Sequence, residues 1–265
     1  MSVRLGVVGW PVAHSRSPEI QNAALAAVGL SEWRYQLLPV PPALFEETVR
    51  ALPAAGFRGV NVTIPHKQAA LAVAGEASDR ARAIGAANTL VFGDGDAISA
   101  DNTDAPALID SVPFDVRGRS AMVLGAGGSA RAAVWALLDA GADRVMVWNR
   151  TFARAVTLAK ELGAVAVEGA ETADLLVNCT SIGLDDSATA LKQFPVSADE
   201  LTRYDCVVDF VYRDTGTALV QAAKARSIVV IDGYELLVRQ GALSFEQFTG
   251  APAPVEAMRA ALRGR

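Results

Sequence analysis

The feature that most constrains this chain is a glycine-rich turn between a short apolar strand and a helix. Ser120 to Leu124 has the composition of a buried strand, and Gly125-Ala126-Gly127-Gly128 follows it directly. A helical stretch then runs from Ala130 to Ala140. Glycines here allow a tight turn and a close backbone approach, so the pattern predicts the first strand, turn and helix of a dinucleotide-binding fold.

Short apolar strands alternate with helical stretches along most of the chain, a pattern typical of α/β proteins with parallel sheets. The segment Gly93 to Asp96 has the composition of a hairpin turn. It would connect two further strands, Asn88 to Phe92 and Ala97 to Ala100. Polar residues from Asp185 to Asp199 predict a surface loop. The remaining predicted strands are Leu5 to Gly9, Trp33 to Leu37, Gly59 to Val62, Val145 to Trp148, Leu175 to Asn178, Val207 to Asp209 and Ile228 to Ile231.

Length, charge and composition limit the classes of protein. A chain of 265 residues exceeds one typical domain, so we expect two. The 24 Lys and Arg against 29 Asp and Glu leave a net charge of −5, which argues against a general nucleic-acid binder. Cys179 and Cys206 lie in no metal-ligand spacing, and no apolar run reaches membrane-spanning length. We therefore expect a cytoplasmic protein without a metal, a disulfide framework or a membrane partner.

The strand after the glycine-rich turn predicts which nicotinamide cofactor binds. An NAD site usually has an Asp or Glu at the end of this strand, where it bonds the ribose hydroxyls. This chain has Asn149-Arg150-Thr151 instead, with Arg154 one turn later. Because no carboxylate repels a 2′-phosphate and a guanidinium can grip it, we predict NADP. The alternative is that Arg150 only begins a solvated helix.

The first strand of the chain is followed by a polar cluster, His14-Ser15-Arg16-Ser17-Pro18. Its two serine hydroxyls, together with nearby backbone N–H groups, could hold a carboxylate. The alternative is structural, because Ser17 before a proline is also a typical N-cap of a helix.

A second polar cluster, Asn61 to Lys67, follows the third strand. Loops at the carboxyl ends of strands bind ligands in open α/β sheets, and a held lysine there can protonate a ketone oxygen as hydride reaches its carbon. Asn88 and Asp101 to Asp104 add hydrogen-bonding groups at the ends of later strands. Taken alone, Lys67 is an ordinary exposed lysine, and His66 is open to either packing or titration.

These motifs occur in an order that resembles the shikimate dehydrogenase family over nearly the whole chain. The last of them is a single glutamine, Gln240. The others are H-S-x-S-P at 14–18, N-V-T-x-P-H-K at 61–67, D-N-T-D at 101–104, G-A-G-G-x-x-R at 125–131, N-R-T at 149–151, N-C-T-S-x-G at 178–183 and D-x-V-Y at 209–212.

The resemblance implies two domains: a substrate domain of α/β type at 1–104, completed by C-terminal helices at 235–265, and a Rossmann-type NADP-binding domain with a doubly wound parallel sheet at 105–234. It implies reduction of 3-dehydroshikimate to shikimate in aromatic amino acid and chorismate biosynthesis. Lys67 and Asp104 would be the catalytic pair. The substrate would be bound by Ser15, Ser17, Thr63, Asn88, Tyr212 and Gln240. The cofactor would be bound by Gly125, Ala126, Gly127, Gly128, Ser129, Ala130, Asn149, Arg150, Thr151, Arg154, Thr180 and Gly233.

Two alternatives remain open from the sequence. One is a quinate/shikimate dehydrogenase with a broader substrate range and a preference for NAD, against which Asn149-Arg150-Thr151 speaks. The other is a non-catalytic NADP-binding regulator, which would be expected to lack Lys67 or Asp104, and this chain has both. The only macromolecular partner we consider is a second copy of the chain, in a homodimer.

Overall fold

The computed structural model describes residues 3–184 and 189–263. The chain forms two compact units: Met1–Asp104 together with Leu237–Arg265, and Ala105–Leu236. Among the helices of the described residues, none combines the length and the apolar composition needed to cross a membrane.

The first unit contains a six-stranded sheet in the order β2-β1-β3-β5-β6-β4. Its strands are β1 (Val3–Gly9), β2 (Trp33–Pro39), β3 (Phe57–Val62), β4 (Glu76–Ala77), β5 (Thr89–Phe92) and β6 (Ile98–Asp101). Its helices are α1 (Ser17–Ala27), α2 (Phe45–Ala51), α3 (Lys67–Val73) and α4 (Asp79–Ile84).

This sheet is mixed, whereas the alternation of strands and helices indicated parallel pairing. Strand β5 runs antiparallel to both β3 and β6. The hairpin predicted at Gly93 to Asp96 accounts for the antiparallel pairing of β5 with β6, because a short turn between neighbouring strands reverses the chain direction. The hairpin prediction is confirmed by the pairing of Phe92 with Ile98 and of Thr89 with Asp101.

Alternate residues of these strands face opposite sides of the sheet. On one side, Val8, Val60 and Leu90 are buried in a cluster with Phe45 of α2 and Ala70 of α3. Burial of a valine, leucine or phenylalanine side chain contributes roughly 1.5–3 kcal/mol to stability. This apolar cluster anchors α3, and therefore its first residue, Lys67, against the sheet.

The second unit contains six strands, all parallel, in the order β12-β11-β10-β7-β8-β9. The strands are β7 (Ser120–Leu124), β8 (Arg144–Trp148), β9 (Val165–Ala166), β10 (Leu175–Asn178), β11 (Cys206–Asp209) and β12 (Val229–Ile231). The helices are α5 (Asp104–Ser111), α6 (Gly128–Asp139), α7 (Phe152–Leu162) and α8 (Ala218–Lys224). Two further helices close the chain, α9 (Gly233–Thr249) and α10 (Val255–Arg263), and the boundary between the units falls within α9.

Numbered from its own first strand, this second sheet has the order 3-2-1-4-5-6 of the Rossmann fold. Both faces are covered. Val123 and Val147 pack in one apolar cluster with Ala133 of α6, whereas Met122 and Met146 pack in another with Leu219 of α8. The predicted α/β class and the doubly wound parallel sheet are confirmed.

The segment predicted as a surface loop, Asp185 to Asp199, is described only in part. Residues 185–188 lie outside the described residues, and the rest contains the short 3₁₀ helix Ala190–Gln193. Ala190 and Val196 are buried, so this segment is not purely a surface loop.

Candidate active site and dinucleotide-binding loop

In the first unit, the loop after β1 brings the two predicted serines together. The Oγ atoms of Ser15 and Ser17 are 3.2 Å apart, and the backbone N–H of Ser17 donates to Ser15 Oγ at 3.3 Å. Arg16 occupies the N-cap position of α1 and Ser17 is the first helical residue, so the alternative that Ser17 caps the helix does not describe this structure. Both hydroxyls therefore lie beside the first turn of α1, where N–H groups favour an anion.

Lys67 and Asp104 form a buried ion pair. The Nζ atom of Lys67 lies 2.5 Å from Oδ2 of Asp104, and the two side chains are only 10% and 7% exposed. Each residue is the first of its helix, α3 and α5, which follow β3 and β6. An ammonium in contact with a carboxylate in a place of low solvent access is a group that can be held as a proton donor.

Asn88 holds the aspartate of this pair from the other side. Its Nδ2 donates to Asp104 Oδ1 at 2.8 Å, and its Oδ1 accepts from the backbone N–H of Thr103 at 2.8 Å. Thr103 and Asn88 are both buried, and their side chains also bond to each other. Asp104 thus receives hydrogen bonds on both carboxylate oxygens, which fixes its orientation.

His66 packs in the interior next to Lys67. Its ring stacks on Phe45 at 4.5 Å between centroids, and its Nε2 lies 2.8 Å from the carbonyl oxygen of Val40. Burial lowers the pKa of His66, and the hydrogen bond to Val40 offsets this only in part. A neutral ring that donates to a carbonyl is a structural anchor for the start of α3, and this arrangement favours packing over titration.

Thr63 and Gln240 are the other two predicted substrate residues of this unit. Thr63 follows β3 directly, and its backbone N–H donates to Val8 of β1 at 2.9 Å. Gln240 lies on α9, where its Nε2 donates to the carbonyl of Leu237 within the same helix at 2.9 Å. The contacts above therefore join Lys67, Asp104 and Asn88 into one cluster, whereas the side chain of Gln240 bonds to its own helix.

In the second unit, the glycine-rich turn leads from β7 into α6. Gly125 has φ +113°, and a Cβ there would lie 3.1 Å from the backbone of Cys179, so only glycine fits without strain. Gly127 is the N-cap of α6 and has no side chain that could cap the helix. A Cβ on Gly127 would meet nothing within 4 Å. This open, positively polarised helix end fits a pyrophosphate.

The segment after β8 contains the residues that were predicted to bind the 2′-phosphate of the cofactor. Arg150, Thr151 and Arg154 are exposed, and among the described residues neither guanidinium has an ion-pair partner. Asn149 Nδ2 donates to the carbonyl of Thr151 at 2.9 Å and shapes the turn. Thr151 is the N-cap of α7, and its side chain makes no capping bond. The donor set matches a dianionic phosphate.

Two more predicted cofactor residues lie at loops of the second unit. Thr180 follows β10, and its Oγ1 donates to Asn178 Oδ1 at 2.7 Å. Gly233 begins α9, and a Cβ there would lie 2.7 Å from the backbone of Val211, so the position requires glycine. The remaining predicted residue of this unit, Tyr212, stacks on Tyr234 with 5.1 Å between ring centroids.

Sequence reasoning gave no role to Asp209, which the structure places at the centre of a buried network. Its Oδ2 accepts from Thr217 Oγ1 at 2.6 Å, and its Oδ1 accepts from Asn178 Nδ2 at 2.8 Å and from the N–H of Val211. Burial raises its pKa to about 6, although the hydrogen bonds oppose the shift. The network ties the loop of Thr180 to the strand that precedes Tyr212. The sequence signal was present, because the Asn and the Asp belong to the motifs at 178–183 and 209–212.

Three family models cover most of the chain: "Shikimate dehydrogenase substrate binding domain" matches residues 7–90, "Shikimate / quinate 5-dehydrogenase" matches 108–206, and "Shikimate 5'-dehydrogenase C-terminal domain" matches 233–263. The shikimate dehydrogenase (NADP(+)) of Methylobacterium radiotolerans is 45% identical over 95% of this chain and 92% of its own length. That of Roseobacter denitrificans is 39% identical over 98% of this chain and 97% of its own length.

Solved structures agree. Shikimate 5-dehydrogenase from Thermus thermophilus, in complex with NADP(H) and shikimate, is 39% identical with a TM-score of 0.85 and covers 98% of each chain. Shikimate dehydrogenase from Aquifex aeolicus is 31% identical with a TM-score of 0.88, covering 99% of this chain and 98% of its own. Fold, site and matches define an NADP-dependent oxidoreductase with a Rossmann-type unit. Within this class, the chain belongs to the shikimate dehydrogenase family.

Proposed function

We propose that this protein catalyses the reversible, NADP-dependent reduction of 3-dehydroshikimate to shikimate, a step of aromatic amino acid and chorismate biosynthesis. The observation that carries the proposal is the buried contact of Lys67 Nζ with Asp104 Oδ2 at 2.5 Å, in a chain that belongs to this family. A regulator that only binds NADP would have no need to keep two opposite charges out of water at this position.

Lys67 is the proton donor in the direction of reduction. NADPH, when bound, supplies the hydride that reaches the carbonyl carbon. The ketone oxygen gains its proton from Lys67 Nζ, and the bond between that proton and nitrogen breaks as the O–H bond forms. Asp104 holds the ammonium in place and Asn88 holds Asp104, so the donor needs no rearrangement as charge develops on the oxygen. In the oxidation direction the same nitrogen accepts the proton.

The substrate carboxylate is bound by Ser15 and Ser17, whose hydroxyls lie 3.2 Å apart beside the first turn of α1. Tyr212 assists at the carboxylate. The ring hydroxyls and the reacting carbonyl are surrounded by Thr63, Lys67, Asn88, Asp104 and Gln240. For Gln240, this role requires that its amide leave the carbonyl of Leu237 when substrate binds.

NADP is held by the second unit, whose residues fit it on two counts: the uncapped N-terminus of α6 at an open glycine, and the exposed arginines after β8. The pyrophosphate is bound by the turn at 125–130, namely Gly125, Ala126, Gly127, Gly128, Ser129 and Ala130. The 2′-phosphate and its ribose are bound by Asn149, Arg150, Thr151 and Arg154. Thr180 and Gly233 would also bind the cofactor.

The proposal assigns substrate binding to 1–104 with the C-terminal helices, and NADP binding to the segment between them. It includes a cytoplasmic location, which is supported by the two buried cysteines, Cys179 and Cys206, forming no disulfide, as is usual in reducing compartments. It also includes a homodimer, which sedimentation of the purified protein would test.

The direct test is the decrease in NADPH absorbance with 3-dehydroshikimate, repeated with shikimate or quinate as substrate and NADP or NAD as acceptor. We expect rapid turnover of 3-dehydroshikimate with NADPH and much slower reactions with quinate or NAD. Comparable rates with quinate and NAD would favour the quinate/shikimate dehydrogenase. Binding of NADPH and shikimate without turnover would favour the non-catalytic regulator.

A further inference from the structure

A row of polar side chains crosses the first sheet on the face opposite the Phe45 cluster. The strand register places Leu5 opposite Tyr35, Val7 opposite Asn61, Asn61 opposite Thr89 and Thr89 opposite Asp101. Tyr35, Asn61, Thr89 and Asp101 therefore project from the same face. Burying polar groups on a sheet face costs free energy unless they are hydrogen-bonded. Their hydrogen-bond partners therefore indicate the function of this row.

Helix α9 supplies partners to this row. Gln247 Nε2 donates to Asp101 Oδ2 at 2.7 Å. Ser244 Oγ lies 3.4 Å from Asn61 Oδ1, while its shorter hydrogen bond goes to the carbonyl of Gly241 at 3.1 Å. The helix is also fixed one turn earlier, where Gln21 Nε2 donates to the carbonyl of Gly241 at 2.9 Å. Residues 240 and 247 of this helix are two turns apart and lie on nearly the same side of it. The contacts of α9 with the sheet therefore determine where Gln240 stands.

Asp101 is the strongest of these anchors. Its Oδ1 accepts from Ser78 Oγ at 2.5 Å and from the N–H of Asn102 at 2.7 Å, while Arg80 bonds to both carboxylate oxygens. Burial alone would raise the pKa of Asp101, but the bonds from Arg80, Ser78 and Asn102 outweigh it and hold the pKa below its usual value. The carboxylate that Gln247 meets is thus a charged acceptor in a fixed place, which makes a stronger bond than a neutral one.

The same carboxylate is also tied to the catalytic turn. Asp101 fixes the N–H of Asn102, and the side chain of Asn102 in turn accepts from the N–H of Asp104 at 3.1 Å and donates to the carbonyl of Ala86 at 3.0 Å. Asn102 is fully buried. One side chain therefore connects the turn that presents Asp104 with the helix that presents Gln240.

We propose that Asp101 is a positioning residue of the active site, which holds Gln240 in reach of the substrate through Gln247 and holds Asp104 toward Lys67 through Asn102. The inference rests on the proposed function. Asp101 acts through its neighbours and touches neither substrate nor cofactor. This role can be distinguished from general stabilisation of the fold, because a substitution at Gln247 should alter substrate binding only through its effect on Gln240.

A double-mutant cycle on the full-length protein tests the α9 connection. Gln247→Leu removes the donor and leaves an apolar side chain that is one atom shorter. We expect it to raise KM for shikimate at least threefold, with kcat within twofold of the unmodified protein and KM for NADP unchanged. In a protein that carries Gln240→Ala, the same substitution should change KM by less than 1.5-fold, because the group it positions is gone. The matched control is Gln221→Leu, a glutamine of α8 whose Nε2 also donates to a backbone carbonyl, at Thr215.

Three results would overturn the inference, and they differ in what else they refute. If Gln247→Leu leaves KM for shikimate unchanged, or raises it equally in both backgrounds, the positioning role is wrong and the proposed function stands. If Gln240→Ala alone leaves that KM unchanged, the substrate role of Gln240 is wrong as well, and the inference falls with it.

The Asp104 connection is tested by Asp101→Asn, which keeps the shape of the side chain. We expect kcat to fall at least fivefold, and an unchanged kcat would overturn that half of the proposal.

Discussion

Lys67 Nζ and Asp104 Oδ2 are 2.5 Å apart, and both side chains are almost completely removed from solvent. Burying such a pair is rarely the most stable choice, since apolar side chains of similar size are often as stable or more so. The pair is flanked by Asn88, which bonds to Asp104 and to the preceding turn. An arrangement of this kind is better explained by chemistry at the lysine than by stability of the fold.

Lys67→Ala should abolish most of the turnover while shikimate still binds. A positioned proton donor contributes about 10²–10⁴-fold in rate, so kcat should fall by that factor, whereas the proposed substrate-binding residues Ser15, Ser17 and Asn88 are left unchanged. Steady-state kinetics and titration calorimetry with shikimate measure the two effects. Lys224→Ala, at the exposed end of α8, is the control and should behave as the unmodified protein. Turnover within threefold of normal in Lys67→Ala would remove the lysine from the mechanism.

Arg150→Ala should weaken the binding of NADPH much more than that of NADH, because only NADPH carries the 2′-phosphate that we propose Arg150 binds. Loss of one charged hydrogen-bonding partner to a phosphate corresponds to roughly 1.5–3 kcal/mol, or about 10- to 160-fold in affinity. Dissociation constants for both cofactors, from fluorescence titration, measure this ratio. Arg144→Ala is the matched control, since Arg144 lies at the opposite end of β8 and pairs with Glu171. Equal losses for both cofactors would contradict the assignment.

The alternation of strands and helices was enough to predict the fold class, and the remaining differences have local causes. The helix predicted from Ala130 begins at Gly128, because the extended Gly127 starts it earlier than residue preferences indicate. The two-residue strands β4 and β9 were not predicted, since so short a segment has no detectable period. The antiparallel pair of β5 and β6 followed from a hairpin that was itself predicted, whereas the antiparallel pairing of β5 with β3 was not predicted.

The candidate site was predictable as a set of residues and not as a set of contacts. Polar side chains after β1 and β3 indicated where a ligand would bind, but the bonds of Asn88 with Thr103 and Asp104 depend on the register of β5 against β6. Register is set by packing over the whole sheet, which no single motif reports. The buried network of Asp209 was missed for the same reason, because its partners come from different strands and loops.

A pair of glycine substitutions should separate the two functions of the turn after β7. Gly125→Ala places a side chain at φ +113°, within 3.1 Å of the Cys179 backbone, so we expect a loss of about 1–3 kcal/mol in unfolding free energy. Gly127→Ala meets no neighbour and has φ −95°, so stability should be nearly unchanged while its Cβ obstructs the pyrophosphate and NADPH affinity falls. Chemical denaturation and cofactor titration measure the two effects. A Gly127→Ala protein with normal NADPH affinity would contradict binding at this helix end.

Asp209 should make the protein less stable as the pH rises from about 4 to about 6. Burial raises the pKa of this carboxyl from 3.8 to about 6 in the folded protein, so within that interval the folded state holds a proton that the unfolded state has released. Stability must then fall with rising pH, and the loss is complete above the folded pKa. Asp209→Asn removes the titrating group and with it this loss of stability. Between pH 4 and pH 6.5, the unfolding free energy of the variant should therefore rise, relative to that of the unmodified protein, by on the order of 2–3 kcal/mol.

Denaturant titrations at several pH values measure this shift, and Asp143→Asn provides the control, because that side chain is exposed. In Asp209→Asn an NH2 group replaces one of the two carboxylate oxygens and cannot accept a hydrogen bond, so at least one bond of the network is lost and stability at pH 4 should be somewhat below that of the unmodified protein. The pH dependence, and not the absolute stability, therefore carries the prediction. Parallel stability curves for Asp209→Asn and the unmodified protein would mean that this carboxylate stays ionised in the interior, held by Thr217, Asn178 and the Val211 amide.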